Sequence, residues 1–187
     1  MKRATVLAHD YLAAVLSPGD LAVDATLGNG HDALFLAELV GEKGRLIGFD
    51  IQAQAIESSQ ARLMQAGVFE RCQLVEASHT EMATYVSGEV AAVTFNLGYL
   101  PGADQAMITE PRSTLEALKA SLSLLRPGGL ITCVCYPGHP GGLDESELVL
   151  AWAERLSEES HRVEFHNEKG RHEGRPFLVS IWRLEAT

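Results

Sequence analysis

The chain alternates short apolar runs with helical patterns along most of its length, and this alternation constrains the fold most strongly. Five such runs predict a mainly parallel sheet whose strands are joined by crossover helices. The predicted strands are "LAVDA", "GRLIGFD", "CQLVEA", "VAAVTFN" and "GGLITCVCY". Helices are predicted at about residues 5–16, 31–40, 52–66, 109–125 and 144–159.

The C-terminal part of the chain follows a different pattern. The segments "HRVEFHN" and "PFLVSIWRL" flank the polar loop "EKGRHEGR", which predicts an antiparallel hairpin. The expected fold is therefore α/β, a Rossmann-like sheet of seven mostly parallel strands with a C-terminal antiparallel hairpin and helices on both faces. Residues 1–187 are expected to form one domain, with an N-terminal helix and turn (1–19) packed on it. Ligands of such a sheet bind at the carboxyl ends of strands 1 to 4.

Charge and composition exclude several classes of protein. The net charge of −10 argues against a non-specific nucleic-acid binder, although residues 161–187 hold five Arg or Lys against four Asp or Glu. The sequence shows neither an apolar span near twenty residues nor a leader pattern, so we expect a soluble, cytoplasmic protein without a membrane partner. Cys133 and Cys135 alternate on one strand face, which favours buried apolar packing, and we expect no metal.

A glycine-rich turn follows the first strand in "VDATLGNGHD". Gly28 and Gly30 permit a close backbone approach, and the N–H groups of the next helix favour a polar or anionic ligand group. The run also fits a dinucleotide pattern, with Asp50 twenty-two residues beyond Gly28, where a ribose-binding acid belongs. An NAD enzyme therefore remains an alternative at this point.

Asp24 favours a different cofactor. It lies four residues before Gly28, where its carboxylate would repel a pyrophosphate but attract the ammonium and sulfonium of S-adenosylmethionine (SAM). The chain also leaves no residues for the substrate domain that hydride-transfer enzymes usually have. A buried carboxylate that stabilises the turn is the equally acceptable structural interpretation of Asp24.

The ordered motifs resemble those of a known family. "VDATLGNGHD", "GFDIQ", "ASHTEM", "FNLGYLPG", "LLRPGG" and "YPGHPGG" together resemble class I SAM-dependent methyltransferases, and within them the rRNA methylase family. Characterised members of that family methylate the aminomethyl group of 5-aminomethyl-2-thiouridine at the tRNA wobble position. The resemblance covers nearly the whole chain, and "NLGYLPG" with "YPGHPGG" is its most specific part.

The resemblance implies a set of cofactor contacts. Asp50 would accept the ribose hydroxyls, with Gln52 at the same edge, unless Asp50 is only a helix N-cap. Ser78 and His79 would bind the adenine, the alternative being a Ser N-cap with a solvent-facing His. The methionine moiety would contact residues of the glycine turn and its helix, where Asp32 has the alternative role of serving the helix dipole. The cofactor set is Asp24, Gly28, Asn29, Gly30, Asp32, Asp50, Gln52, Ser78, His79 and Asn96.

The stretch "FNLGYLPG" is similar to the N-P-P-Y-like loop of amino-directed methyltransferases, with Leu-Gly in place of the two prolines. Asn96 and Tyr99 are the candidate catalytic residues: the Asn96 carbonyl would accept a hydrogen bond from the incoming amine, and the Tyr99 ring would stack the base. If a general base is used, His139 and Asp104 are candidates, and His139 is assigned mainly to substrate contact.

Further substrate contacts are expected around this loop. Tyr136 is either a base platform or an edge residue, and three arginines are candidate phosphate contacts although solvated charged loops are the usual role of such residues. The substrate set is Tyr99, Arg112, Tyr136, His139, Arg171 and Arg175.

The function implied is SAM-dependent N-methylation of the 5-aminomethyl group of 2-thiouridine in the tRNA anticodon stem-loop, forming 5-methylaminomethyl-2-thiouridine. The alternatives are methylation of rRNA or of a small-molecule amine, and, in another class, a non-catalytic nucleotide-binding sensor. The exposed hairpin edge is compatible with a homodimer.

Overall fold

The structure is a computed structural model that describes residues 2–98 and 111–185. Its helices are α1 (Ala4–Val15), α2 (His31–Val40), α3 (Ala53–Gln65), α4 (Met82–Tyr85), α5 (Pro111–Leu124) and α6 (Gly142–Ala153). Its strands are β1 (Leu21–Asp24), β2 (Arg45–Asp50), β3 (Cys72–Glu76), β4 (Val90–Asn96), β5 (Leu125–Cys135), β6 (His161–His166) and β7 (Phe177–Arg183).

The strands form one seven-stranded sheet in the order β3-β2-β1-β4-β5-β7-β6. Strands β1 to β5 are parallel, and β7 runs antiparallel to both β5 and β6. The predicted mostly parallel sheet with its antiparallel C-terminal hairpin is confirmed. Since β7 pairs with β5, the order leaves β6 at one edge of the sheet and β3 at the other.

Two apolar cores cover the two faces of the sheet, because neighbouring strand residues point to opposite sides. Ala22 of β1 and Leu130 of β5 belong to the core that α1, α2 and α3 cover, whereas Val23 and Ile131 belong to the core under α5 and α6. Helices on both faces were predicted and are confirmed. Cys133 and Cys135 are both buried in the second core, as their alternation indicated.

Some element boundaries differ from the prediction. Helix α6 ends at Ala153, not near residue 159, because the polar residues beyond it turn toward β6, where the His161 N–H donates to the Ser157 carbonyl over 2.9 Å. A 3-10 turn (His79–Glu81) and α4, both unpredicted, join β3 to β4. The segment is too short for a helical periodicity to show in the sequence.

The parallel strands place the carboxyl ends of β1 to β4 along one edge of the sheet, which is where the candidate ligand residues lie. Within residues 2–98 and 111–185, no group of His, Cys, Asp or Glu is arranged to hold a metal ion. None of the helices in those ranges is long and apolar enough to cross a bilayer.

Candidate functional site

The glycine turn between β1 and α2 is held in place by α3. Gly30 caps α2 with a φ of 75°, a left-handed conformation that favours glycine. A Cβ at Gly30 would lie 2.7 Å from Ser59 Oγ and 2.9 Å from Ser59 Cα, so the turn packs directly on the α3 backbone. Ser59 Oγ donates to the Gly28 carbonyl over 3.0 Å, and Arg62 Nε donates to the Asn29 carbonyl over 2.7 Å.

Asp50 connects this turn to the end of β2. Its Oδ2 accepts the Gly28 N–H over 2.9 Å and its Oδ1 accepts the Gln52 N–H over 3.0 Å. The N-cap position of α3 is Gln52, so the alternative of Asp50 as the helix N-cap is wrong. Each carboxylate oxygen can accept more than one hydrogen bond, and Asp50 is only half-buried, so it can still accept hydroxyl donors from a ligand.

Asp24 is fully buried at the end of β1. Its Oδ1 accepts the Thr26 N–H over 3.1 Å, and the Ala33 N–H is a further donor to the carboxyl group, whereas its Oδ2 has no partner of ordinary hydrogen-bond geometry among the described residues. Burial raises the pKa of Asp24 well above its usual range, and the negative charges of Asp32 and Asp50 raise it further. The turn-stabilising interpretation of Asp24 is confirmed by the Thr26 contact, and the second oxygen remains available to a cation that would favour the carboxylate form.

Asp32 joins α1, α2 and β4. Its Oδ1 lies 2.7 Å from His9 Nε2 of α1, and its Oδ2 accepts the Asn96 Nδ2–H over 3.1 Å. Asp32 was predicted to contact the cofactor or to serve the helix dipole, and the structure shows side-chain partners that neither interpretation included. The Asn96 backbone N–H donates to Thr26 Oγ1 over 2.7 Å, so Asn96 is fixed at both its backbone and its side chain.

Ser78 and His79 follow β3 as predicted, and the alternative of a Ser N-cap with a solvent-facing His is confirmed for Ser78 only. Ser78 is the N-cap of the 3-10 turn and its Oγ accepts the Thr80 N–H over 3.3 Å. His79 is buried against Phe95 and its Nδ1 lies 3.2 Å from the Ala25 carbonyl, so the solvent-facing alternative is wrong. Burial lowers the pKa of His79, which leaves a neutral ring with Nδ1 as donor and Nε2 as acceptor.

Tyr136 and His139 lie beyond β5. Tyr136 is half-buried beside Gly98, where an added Cβ would be 3.7 Å from its Cδ2, and its phenol hydrogen-bonds with the Asn96 side chain. Burial raises the pKa of Tyr136, and the charge of Asp32 raises it further. His139 Nδ1 lies 3.0 Å from the Pro140 carbonyl, which holds the imidazole against its own turn.

The predicted phosphate contacts lie on exposed or half-buried positions. Arg171 Nε donates to Glu147 Oε1 over 2.8 Å, and Arg175 lies 2.6 Å from Glu173 Oε2. Arg112 is exposed in the first turn of α5. The two hairpin-loop arginines therefore have carboxylate partners, which an incoming phosphate would have to replace.

Two predicted residues, Tyr99 and Asp104, lie outside the described residues. Others were missed: His9, Thr26, Ser59, Arg62 and Ile51. Ile51 is 55% exposed directly after Asp50, and an apolar residue beside a carboxylate that was predicted to bind a ligand could have been noticed in the sequence. No pattern in the sequence indicated the contact of His9 with Asp32, because 23 residues separate the two.

The arrangement favours a ligand with positive charge. Asp24, Asp32 and Asp50 converge on one glycine turn, and among the described residues Asp24 Oδ2 has no hydrogen bond of ordinary geometry. A pyrophosphate would be repelled there, whereas an ammonium or a sulfonium would be attracted. Ile51 offers an apolar surface next to Asp50, so the same edge can take a nucleoside.

The chain is similar to several known proteins. Residues 46–182 match the family model described as "Putative rRNA methylase". The chain is 43% identical over 165 residues to an Arabidopsis thaliana protein named "tRNA (mnm(5)s(2)U34)-methyltransferase, chloroplastic". That alignment covers 83% of this chain but only 60% of the plant protein.

Two solved structures are similar over almost their full length. A "putative rRNA-methylase" from Clostridium thermocellum has a TM-score of 0.95 at 38% identity, with 98% of this chain and 99% of that chain covered. A "putative methyltransferase" from Streptococcus mutans "in complex with SAH" has a TM-score of 0.88 at 34% identity, again covering 98% and 99%. The predicted class I methyltransferase fold is confirmed.

Proposed function

Because the chain belongs to the rRNA methylase family, we propose that it is a SAM-dependent methyltransferase that N-methylates the 5-aminomethyl group of 2-thiouridine at the tRNA wobble position. The observation that supports a SAM enzyme most directly is the convergence of three carboxyl groups on the glycine turn. The substrate rests on the similarity to the Arabidopsis protein named for this reaction.

The described residues fit SAM. Asp24 Oδ2 is a buried acceptor without a hydrogen bond of ordinary geometry in the described part of the chain, suited to a cationic group. Asp50 is placed to accept ribose hydroxyls beside the exposed Ile51, and the turn around Gly30 leaves no room for a side chain. Bound there, SAM would supply a methyl group on its sulfonium: as the amine nitrogen forms its bond to that carbon, the S–CH₃ bond would break, the neutral thioether would leave and the methylated amine would release a proton.

The contribution of the chain is to position the amine and keep it neutral. An alkylamine with a pKa of about 10 loses its proton at pH 7 at a cost of roughly 4 kcal/mol. Asn96 can accept a hydrogen bond from the neutral amine, and exclusion of water beside a positive charge disfavours the ammonium form. Positioning and desolvation therefore matter more here than a strong base, and His139 is held by its own turn.

The test is methyl transfer to tRNA that lacks this methyl group. After incubation with protein and labelled SAM, mass spectrometry of the nucleosides should show 5-aminomethyl-2-thiouridine heavier by one CH₂ unit. An Asp50→Ala variant should transfer little methyl, whereas Glu89→Gln, which removes an exposed carboxylate just before the amino end of β4, should resemble the unmodified protein. Label found only in rRNA or in free amines would contradict the proposed substrate, and the absence of any transfer would contradict the proposed enzyme.

A further inference from the structure

The side chains of His9, Asp32 and Asn96 form a continuous chain of contacts from α1 to the end of β4. His9 Nε2 lies 2.7 Å from Asp32 Oδ1, and Asp32 Oδ2 accepts the Asn96 Nδ2–H over 3.1 Å. His9 also stacks on Phe35 with ring centroids 4.0 Å apart and an interplanar angle of 8°. The stacking fixes the imidazole plane, so the carboxylate meets the ring at a defined angle.

Asp32, the middle residue of these contacts, sets the direction of both hydrogen bonds. A carboxylate only accepts, so His9 Nε2 carries a hydrogen and Asn96 presents its NH₂ group to Asp32. A flipped Asn96 amide would place its Oδ1 against a carboxylate, which is repulsive. The Asn96 side chain also contacts the Tyr136 phenol.

The Asn96 NH₂ group is thus directed at Asp32 Oδ2, and the carbonyl oxygen of the same amide points away from that carboxylate. That oxygen is the acceptor that remains for a substrate N–H. Asp32 holds the amide in this orientation as an acceptor, with one oxygen at His9 Nε2 and the other at Asn96 Nδ2.

We propose that His9 is a positioning residue, which acts through Asp32 to keep the Asn96 carbonyl directed at the attacking amine. This inference rests on the proposed function for its kinetic part, whereas the orientation of the amide does not depend on which substrate is methylated. His9 itself is a half-exposed residue of α1 whose structural contact is the stack on Phe35.

The test separates the hydrogen bond from the stack. His9→Phe keeps an aromatic ring over Phe35 and removes the donor to Asp32, whereas His9→Gln restores an N–H donor without the ring. At saturating SAM we expect His9→Phe to lower kcat on tRNA about tenfold, as loss of one hydrogen bond to a charged group does, with the calorimetric Kd for SAM changed less than threefold. His9→Gln should recover most of the lost kcat.

A double-mutant cycle and a spectroscopic readout decide between positioning and a general structural effect. In the Asn96→Ala background, His9→Phe should lower kcat hardly any further, because its effect on kcat passes through Asn96. The Asn96 side-chain NH₂ resonances in ¹⁵N NMR should shift in His9→Phe and return toward their original positions in His9→Gln. Asp10→Asn, which removes an exposed α1 carboxylate paired with Lys2, is the matched control and should change neither kcat nor these resonances.

An unchanged kcat, additive losses in the cycle, a SAM Kd that rises as much as kcat falls, or an unmoved Asn96 resonance would each overturn the proposal. If tRNA takes no label even with the unmodified protein, the proposed function is wrong, while the amide resonances still decide whether His9 orients Asn96.

Discussion

The Gly28 N–H donates to Asp50 Oδ2 over 2.9 Å, so a carboxylate at the end of β2 holds the glycine turn that follows β1. The same carboxylate accepts the Gln52 N–H through its other oxygen. One side chain thus shapes the turn and borders the site at which a ribose would lie. Its removal should affect both the conformation of the turn and the affinity for a nucleoside.

Asp50→Ala should raise the Kd for SAM about tenfold to a hundredfold. Hydrogen bonds to charged groups contribute about 1.5–3 kcal/mol each, and about 1.4 kcal/mol is a factor of ten. Isothermal calorimetry measures the change, and NAD should give no binding heat with the unmodified protein. Equal affinity of Asp50→Ala and unmodified protein for SAM, or heat with NAD, would contradict the cofactor assignment. Glu89→Gln, at the opposite edge of the sheet, is the charge-matched control.

Asp24→Asn should stabilise the fold at neutral pH and weaken SAM binding. Since the folded pKa of Asp24 is raised by burial above its unfolded value of about 3.9, the folded state binds more protons between these two pKa values, and stability falls as pH rises through that window. The Tm advantage of Asp24→Asn should therefore be absent near pH 4 and grow toward pH 8, at about 2–4 °C per kcal/mol.

The same carboxyl group predicts proton release on cofactor binding. A cation beside Asp24 favours its charged form, so SAM should expel a proton that the cofactor-free protein retains. Calorimetry in buffers of different ionisation enthalpy would detect this proton as a buffer-dependent binding heat.

For the Tm prediction, a difference between Asp24→Asn and unmodified protein that does not change with pH would show that Asp24 is already ionised in the folded state.

Gly30→Ala should destabilise the protein more than Gly67→Ala. Both glycines have a left-handed φ, 75° and 71°, which costs a residue with a Cβ about 1–2 kcal/mol. A Cβ at Gly67 meets nothing within 4 Å, whereas one at Gly30 lies 2.9 Å from Ser59 Cα, so we expect about 1–3 kcal/mol more at Gly30. Urea unfolding measures both variants, and equal losses would mean that the turn can move away from α3.

Arg171→Ala should weaken tRNA binding and make it less dependent on salt. A phosphate contact contributes about 0.7–0.9 to the slope of log K against log salt concentration, and Arg171 lies in the hairpin loop beyond β6. Arg45, exposed at the amino end of β2 on the opposite edge, is the control whose removal should leave the slope unchanged. If Arg171 remains paired with Glu147 in the complex, the two variants will behave alike.

The sequence was sufficient for the sheet and for the chemical character of its binding edge. Strand β4 was predicted with its observed bounds and α2 likewise, because apolar periodicity and the glycine at the N-cap are local signals. Asp24, Asp50 and Asn96 were placed at strand ends for the same reason: in a parallel sheet, the last residue of each apolar run lies at the carboxyl edge.

Only the tertiary structure decided what those residues contact. The pairing of His9 with Asp32 joins residues 23 apart, and that of Asp32 with Asn96 joins residues 64 apart, through the packing of α1 and the crossover between β1 and β4. The burial of His79 likewise depends on Phe95 from a later strand. Local patterns set which side chains stand at the edge, because they depend on neighbours in the sequence; hydrogen-bond partners and pKa shifts depend on distances that form only when distant segments pack together.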